Sequence, residues 1–208
     1  MALNQWKNYN QNLLNAINSI NEKDILNLIK QVKPYIGTRD EIHILGNGGS
    51  AANANHINGD FSKTFSSTSE TIKINSFADN SCYITAASND IDFSEVFTLL
   101  IPGRINKKDL IIFLSGSGNS INLVKCAQKA RDFNINTFAI TGYNGGKLKD
   151  ICNHHIHVPI KDMEIIEDIQ LIIFHFIKQY LTKEFKKNGN FKNLSPKYEK
   201  RTISNEIA

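Results

Sequence analysis

The first 36 residues carry apolar side chains at helical spacing. They form two groups, one from Leu13 to Ile20 and one from Ile25 to Val32. Within each group, apolar residues recur every three to four positions. This spacing places the apolar side chains of each group on one face of a helix. Asn21, a residue type that favours the start of helices, separates the groups, and Pro34 ends the second. The pattern predicts a helical hairpin over residues 1–36.

Beyond residue 36, continuous apolar runs alternate with helical segments. The run EIHILG leads into a glycine-rich loop and a helix, and DLIIFLSGSGNS repeats this arrangement further along. More strands are predicted at TIKIN, NTFAIT and HHIHVPI, and more helices near 79–87, near 92–100 and from Met163 to about Phe185. Uninterrupted apolar strands indicate a parallel sheet covered on both faces. The predicted fold is a doubly wound α/β domain, with ligands at the carboxyl ends of its strands.

Residues 1–185 are therefore expected to form a single domain, made of the hairpin and an α/β core over 37–185. Residues 186–208 lack periodicity and are predicted to form a basic C-terminal tail. The tail holds six basic residues against two acidic ones, which accounts for the whole formal net charge of +4. Because residues 1–185 are neutral overall, no nucleic-acid partner is expected.

The composition is that of an ordinary globular protein, with 41% hydrophobic and 21% charged residues among 208. Its three cysteines are widely spaced and form no C-x-x-C motif, so we expect free thiols in a reducing compartment. The N-terminus lacks the order of a signal peptide, and no apolar run reaches membrane-spanning length. These features predict a cytoplasmic protein without a membrane partner.

Two loops of glycine, serine and asparagine follow the two clearest strands, and each loop opens a helix. The start of a helix offers unpaired amides and a partial positive charge, and small side chains let an anion approach them. Two such loops at equivalent places on parallel strands predict a phosphate site. Its candidate residues are Asn47, Gly48, Gly49, Ser50, Ser115, Gly116, Ser117 and Ser120.

A nucleotide cofactor is not expected. Gly46, Gly48 and Ala51 satisfy a permissive dinucleotide pattern, but the next strand ends in Asn75 and Ser76 where an acidic residue would hold the ribose. The chain also lacks a G-x-x-x-x-G-K-[ST] loop. A small phosphorylated ligand fits these loops better.

Four polar side chains on two predicted helices could supply chemistry. His56 and Asp60 are four residues apart and share one helix face, whereas Glu167 and His175 are two turns apart on the apolar final helix. Together they could hold zinc or act as acid and base on a sugar carbon. Taken separately, the histidine on the final helix is typical of a hydrogen-bonded core residue, and the first pair of a surface ion pair.

The runs GNGGSAANANHINGDF, SGSGNS and IEDIQLIIFH together resemble the sugar isomerase (SIS) family, and within it the phosphoheptose isomerases. This resemblance implies a flavodoxin-like parallel sheet of five strands and a homotetramer with active sites at subunit interfaces. It also implies interconversion of sedoheptulose 7-phosphate and D-glycero-D-manno-heptose 7-phosphate, for bacterial surface polysaccharide. The loop serines would hold the phosphorylated substrate, Asp90 would contact its hydroxyls, and His56 and His175 match metal and catalytic positions.

Two positions depart from the family pattern. Asp60 stands where the family usually has a glutamate, and Glu167 where it usually has a glutamine. A carboxylate withdrawn by about 1 Å can cost a base about 100-fold in rate. Glu167 could compensate as a metal ligand or as the base, which predicts a carboxylate-rich site that could serve a different phosphosugar.

The predicted mechanism is proton transfer through an enediolate. The base is Asp60 or Glu167, and His175 has the second proton-transfer role. Zinc held by His56, Asp60, Glu167 and His175 would polarise the substrate oxygens. The alternative is a non-catalytic protein of the same fold that binds a phosphosugar or another protein, as does the SIS relative that binds the replication initiator. Stoichiometric zinc would favour the enzyme.

Overall fold

The computed structural model of this chain describes residues 1–65 and 71–187. In chain order its helices and strands are α1 (Ala2–Asn18), α2 (Glu22–Val32), β1 (Ile42–Gly46), α3 (Gly48–Phe65), β2 (Ile74–Ser76), α4 (Ser81–Asp90), β3 (Leu110–Ser115), α5 (Ile121–Asp132), β4 (Asn136–Thr141), α6 (Gly146–Ile151), β5 (His154–His157) and α7 (Met163–Lys187).

The five strands form one parallel sheet in the order β2-β1-β3-β4-β5. This is the flavodoxin-like order, in which the direction of strand addition reverses between β1 and β3. Gly46 at the end of β1 is in register with Leu114, one residue before the end of β3. The loops that follow these two strands therefore leave the same edge of the sheet side by side. The predicted fold class is confirmed.

Alternate side chains of the central strands enter two separate cores. On one face of the sheet, Ile44 and Ile112 pack in a cluster with residues of α2, α3 and α7. On the other face, Ile111 and Phe113 pack in a cluster with residues of α5 and of the segment that precedes β3. All six residues of β3 are buried. Because helices cover both faces, the strand is an uninterrupted apolar run rather than an alternating one.

The two N-terminal helices are buried to different extents. Asn21 caps α2, since its Oδ1 accepts a hydrogen bond from the Lys23 amide at 3.0 Å. α2 buries Leu28, Ile29 and Val32, whereas α1 buries Ala16. The Tyr9 hydroxyl ties α1 to α7 by donating to Asp168 Oδ2 at 2.7 Å. Much of the apolar surface of α1 remains exposed in the single chain.

The prediction of a helix over 92–100 is wrong. The structure has two 3₁₀ turns there, Phe93–Glu95 and Thr98–Leu100. The Asp92 side chain caps the first turn by accepting from the Ser94 amide at 2.7 Å, and Pro102 prevents a helix from continuing beyond the second. The sequence reasoning also missed α6, because six residues are too few to show helical periodicity.

The final helix continues to Lys187, slightly beyond its predicted end. Most of the predicted tail, residues 188–208, lies outside the described residues, and the proposed division of the chain stays a prediction. Within residues 1–65 and 71–187, no helix combines the length and the apolar character that crossing a membrane requires.

Candidate active site

The loop after β1 brings the start of α3 to the edge of the sheet. Gly46 has no room for a side chain, because a Cβ atom there would lie 2.8 Å from the backbone of Ser50. Gly48 begins α3 with a φ of +53°, a conformation that favours glycine. Ser50 is buried, and its Oγ accepts from Gln170 Nε2 at 3.1 Å. The loop thus presents a helix start with few side-chain atoms in front of it.

The loop after β3 folds around its own serines. The Gly118 amide donates to Ser115 Oγ at 3.1 Å, and the Asn119 amide donates to Ser117 Oγ at 3.2 Å. Gly118 has a φ of +66°, and a Cβ atom there would lie 2.0 Å from the carbonyl oxygen of Gly145. Its backbone path is therefore open to glycine alone. The loop offers serine hydroxyls at the start of a second helix.

The two loops border a cavity of about 250 Å³, which we call the loop cavity. The side-chain amides of Asn47 and Asn122 exchange two hydrogen bonds of 2.9 Å and so join the first loop to α5. Serine hydroxyls beside two helix starts suit a phosphate group. The lining includes every predicted loop residue: Asn47, Gly48, Gly49, Ser50, Ser115, Gly116, Ser117 and Ser120.

His56, Asp60 and His175 lie together where α3 packs against α7, and we call them the imidazole cluster. The Nε2 atoms of the two histidines are 2.9 Å apart. One donor atom from each of the three side chains lies within 4.8 Å of the other two. Nearby, Phe61 and Phe174 join the two helices in an edge-to-face contact with ring centroids 6.3 Å apart. The helices therefore meet within one chain.

The donors of the imidazole cluster fit a divalent transition metal. Two imidazole nitrogens and a carboxylate oxygen are ligand types that zinc prefers. Two nitrogens bound to one tetrahedral zinc at the usual bond lengths are about 3.3 Å apart. The histidine nitrogens, at 2.9 Å, are slightly closer than this. A small separation of the two rings would therefore admit the ion.

The ring of His175 is held in its neutral form. Burial lowers the pKa of His175, and the neighbouring His56 and Lys178 lower this pKa further, against the opposite effect of Asp60. Near neutral pH the ring is therefore uncharged, which is the form that binds a metal or accepts a proton.

Asp60 pairs with lysines from both helices. Lys178 Nζ contacts Asp60 Oδ2, and Lys63 Nζ lies 3.8 Å from Asp60 Oδ1. Lys178 follows His175 by three residues, so the two side chains share one face of α7. The carboxylate of the imidazole cluster is thus already balanced by a cation.

Glu167 lies at the loop cavity instead of in the imidazole cluster. A Cβ atom on Gly49 would lie 2.1 Å from Glu167 Oε2, so the carboxylate packs directly against this glycine at the start of α3. Among the described residues, the group of donor atoms close enough to share a metal ion comprises His56, Asp60 and His175 without Glu167. A metal-binding role for Glu167 stays a prediction, and it would require its side chain to rotate.

Asp90 is not brought to the other candidate residues within the chain. It ends α4, is exposed, and accepts a hydrogen bond from its neighbour Asn89 at 2.9 Å. It belongs neither to the lining of the loop cavity nor to the imidazole cluster. Its predicted contact with substrate hydroxyls stays a prediction.

The sequence reasoning missed the buried amides that hold α7 against α3. Asn53 Nδ2 donates to Gln170 Oε1 at 3.0 Å and to the Glu167 carbonyl at 2.9 Å, while Gln170 donates to Ser50. The available signal was a glutamine inside an otherwise apolar stretch of the final helix. It also missed Lys178, which helical spacing places beside His175.

Residues 5–142 match the family model described as SIS domain. Among curated proteins, the phosphoheptose isomerase of Helicobacter pylori (strain P12) is 30% identical over 145 residues, which are 70% of this chain and 76% of that protein. The family match thus spans both loops and the strands that carry them.

Two solved structures have a similar fold. A phosphoheptose isomerase from Neisseria gonorrhoeae gives a TM-score of 0.79 at 19% identity and covers 88% of this chain and 100% of its own. One from Francisella tularensis gives 0.77 at 21% identity, covering 88% of this chain and 99% of its own. At these identities the similarity concerns the fold alone.

Proposed function

Because the chain belongs to the SIS domain family, we propose that it is a phosphosugar isomerase of the phosphoheptose isomerase type. The proposed reaction interconverts sedoheptulose 7-phosphate and D-glycero-D-manno-heptose 7-phosphate through an enediolate. One observation carries the proposal: α3 and α7 each contribute both to the loop cavity and to the imidazole cluster. A phosphate site and a set of acid, base and ligand groups therefore share one pair of helices.

The distance between the two parts suits a seven-carbon sugar phosphate. Ser50 and His56 are about 9 Å apart along α3, and Glu167 and His175 are about 12 Å apart along α7, at 1.5 Å per residue. With single bonds of about 1.5 Å, an extended heptose 7-phosphate measures about 9–10 Å from phosphorus to C1. A phosphate in the loop cavity would therefore place C1 and C2 near the imidazole cluster. A triose phosphate is too short to reach from one to the other.

The isomerisation requires a base that moves a proton between C1 and C2. It also requires a second group that transfers protons at the oxygens of these carbons. Glu167 is the proposed base, because it forms no ion pair with any other described residue. Its side chain borders the loop cavity, where the phosphate would bind, and would have to rotate toward the imidazole cluster to reach C1 and C2. Asp60 is the other candidate; it lies in the imidazole cluster itself, where its carboxylate pairs with Lys178. Binding of the phosphate positions the carbons for this transfer.

We further propose that His56, Asp60 and His175 hold zinc. When bound, zinc would supply positive charge that polarises the carbonyl and hydroxyl oxygens at C1 and C2. The neutral ring of His175 suits a ligand in the loaded protein and a proton carrier in the metal-free protein. One imidazole nitrogen cannot serve both roles at once, so the metal content decides which of them operates.

A homotetramer with active sites at subunit interfaces is proposed on the basis of exposed apolar side chains. Six of them, on α1 and α7, are 39% to 76% exposed: Leu3, Trp6, Leu14, Ile172, Phe176 and Tyr180. Exposed apolar surface of this kind marks protein interaction sites. Phe176 adjoins His175, so packing on this face would enclose the imidazole cluster and could bring Asp90 to a neighbouring subunit's site. Light scattering of the purified protein tests this: a monomer would contradict the proposal.

A cytoplasmic location is proposed because the three cysteines are free. Reducing compartments keep thiols unpaired. Cys126 and Cys152 are buried, and burial raises the pKa of Cys152 to about 12. These two thiols are therefore unreactive side chains of the core.

Proton NMR of sedoheptulose 7-phosphate in deuterated water tests the proposed activity. We expect deuterium at C1 or C2 and new aldose signals from the purified, zinc-replete protein. A parallel sample treated with a chelator shows whether the metal is needed. A folded, zinc-replete protein that exchanges no deuterium into a panel of ketose phosphates would contradict the proposed isomerase and favour a binding role.

A further inference from the structure

A lysine side chain lies next to the imidazole cluster. Lys178 Nζ forms an ion pair with Asp60 Oδ2, and both side chains are largely shielded, at 21% and 13% exposure. Lys63, the other lysine near this carboxylate, is farther away at 3.8 Å and is 69% exposed. Solvent screens the second contact much more than the first. Lys178 is therefore the lysine that matters most for the charge at Asp60.

A metal ion and the Lys178 ammonium need the same carboxylate. A metal bound by His56, Asp60 and His175 would place two positive charges next to an ammonium group that already contacts one of the ligands. Like charges repel strongly where little solvent intervenes. Binding therefore requires the ammonium to leave Asp60, which the flexible lysine stem permits.

We propose that Lys178 is a positioning residue that competes with the metal for Asp60. In the metal-free protein it holds the carboxylate beside the two imidazoles, and on metal binding it swings toward solvent. The inference rests on the zinc site of the proposed isomerase, but it concerns metal affinity and not turnover. It predicts that this lysine weakens zinc binding, so that the site exchanges its metal more readily than the same three ligands would without it.

Competition titration of zinc against a chromophoric chelator, on the metal-free full chain at one fixed pH, tests the proposal. Lys178→Met keeps the apolar stem and removes the charge, and we expect it to raise zinc affinity about tenfold or more. Lys178→Arg keeps the charge and should change affinity by less than about threefold. Lys63→Met is the matched control on α3, with the same small change expected because solvent screens it.

Further variants keep the test decisive. Lys178→Gln replaces the methionine variant if circular dichroism shows that the latter is misfolded. Adding Asp60→Asn to Lys178→Met should abolish the gain, since the competition is for that carboxylate. Unchanged or weaker zinc affinity in folded Lys178→Met would overturn the proposal and leave Lys178 as a link between two helices. Because the readout is metal affinity, an inactive isomerase assay would not affect the result.

Discussion

The loop cavity and the imidazole cluster lie on the same pair of helices but tolerate change very differently. The loop cavity is lined mainly by glycines and serines, and a side chain on Gly116 or Gly118 would collide with neighbouring atoms. In the imidazole cluster the atoms that would bind a ligand lie at the ends of longer side chains. His56 is exposed, and Asp60 and His175 are half-buried. A site made of backbone is fixed with the fold. The geometry and charge of a site made of side chains can change when one side chain is a methylene shorter or when one neighbouring charge is replaced.

This difference bears on Asp60 and Glu167, the two positions at which the sequence is predicted to depart from the family pattern. The phosphate group is common to all phosphosugars, so the loop cavity can stay constant while substrates change. The reacting end of the sugar varies, and Asp60 lies in the imidazole cluster near that end, whereas Glu167 borders the loop cavity.

A substitution that disrupts the backbone of the loop cavity should have the largest effect. Gly118→Ala would force a left-handed residue to carry a Cβ atom 2.0 Å from the Gly145 carbonyl. We expect a loss of about 3 kcal/mol or more in unfolding free energy and no measurable binding of inorganic phosphate. Urea denaturation measures the unfolding free energy, and calorimetry measures phosphate binding. Gly59→Ala is the control: it lies in α3 with no atom within 4 Å of its Cβ position, and should stabilise by about 0.5–1 kcal/mol. Wild-type stability and phosphate binding in Gly118→Ala would contradict the claim that the backbone of the loop cavity cannot adapt to a side chain.

Substitutions in the imidazole cluster should lower kcat without weakening phosphate binding. His175→Asn is expected to lower kcat by about 10²–10⁴, because it removes a proton-transfer or ligand group. Its affinity for inorganic phosphate should stay within about threefold of wild type, since phosphate binds elsewhere. The exchange assay and calorimetry separate these effects. His155→Asn on β5 serves as the histidine control. A parallel loss of phosphate affinity in His175→Asn would show that the two parts are one site.

Glu167→Gln tests a residue of the loop cavity that is also a candidate base. Its carboxylate borders the loop cavity and packs on Gly49, so it opposes a bound phosphate. Two like charges about 4 Å apart repel by about 4 kcal/mol at an effective dielectric of about 20, which solvent reduces. We expect about fivefold tighter phosphate binding, together with a fall of about 100-fold in kcat if Glu167 is the base. Glu164→Gln changes the same charge one turn away, where it is exposed, and should change neither. Weaker phosphate binding in Glu167→Gln would contradict this reasoning.

Much of this arrangement could be predicted because periodicity encodes it. β3 is an uninterrupted apolar run because both of its faces are buried, and the loops consist of glycine and serine because the backbone must be accessible there. Helical spacing likewise put His56 and Asp60 on one face. Each of these features depends on residues close together in the chain.

The remainder depended on contacts that spacing does not specify. Spacing fixes the face of α7 that carries Glu167 but not its rotamer, and the side chain turned toward Gly49. The pairing of Lys178 with Asp60 joins residues 118 positions apart and follows from how α7 packs on α3. The apolar spacing over 92–100 was compatible with a helix, but an aspartate cap and a proline divided it into short turns.

The smallest expected effect is a dependence of stability on pH that arises in the strands beneath the loop cavity. His43 of β1 is fully buried, and its Nε2 lies 3.2 Å from Asp109 Oδ2, next to the start of β3. Burial lowers the pKa of His43, although Asp109 opposes this. The folded protein therefore takes up this proton less readily than the unfolded chain, whose histidines titrate near pH 6.5. The contribution to stability is complete above about pH 6.5 and is lost as the pH falls toward the lowered pKa.

Urea denaturation of wild type and His43→Gln at about pH 7.5 and about pH 5.5 would measure this contribution. We expect the wild type to lose stability on acidification and the variant to lose less. The dependence should not vanish, because the pKa values of His154 and His175 are lowered as well, in both cases chiefly by burial. Equal losses in the two proteins would assign the dependence to those histidines. A smaller loss in the variant would assign part of the dependence to the protonation of His43, in the strand that leads to the first loop of the cavity.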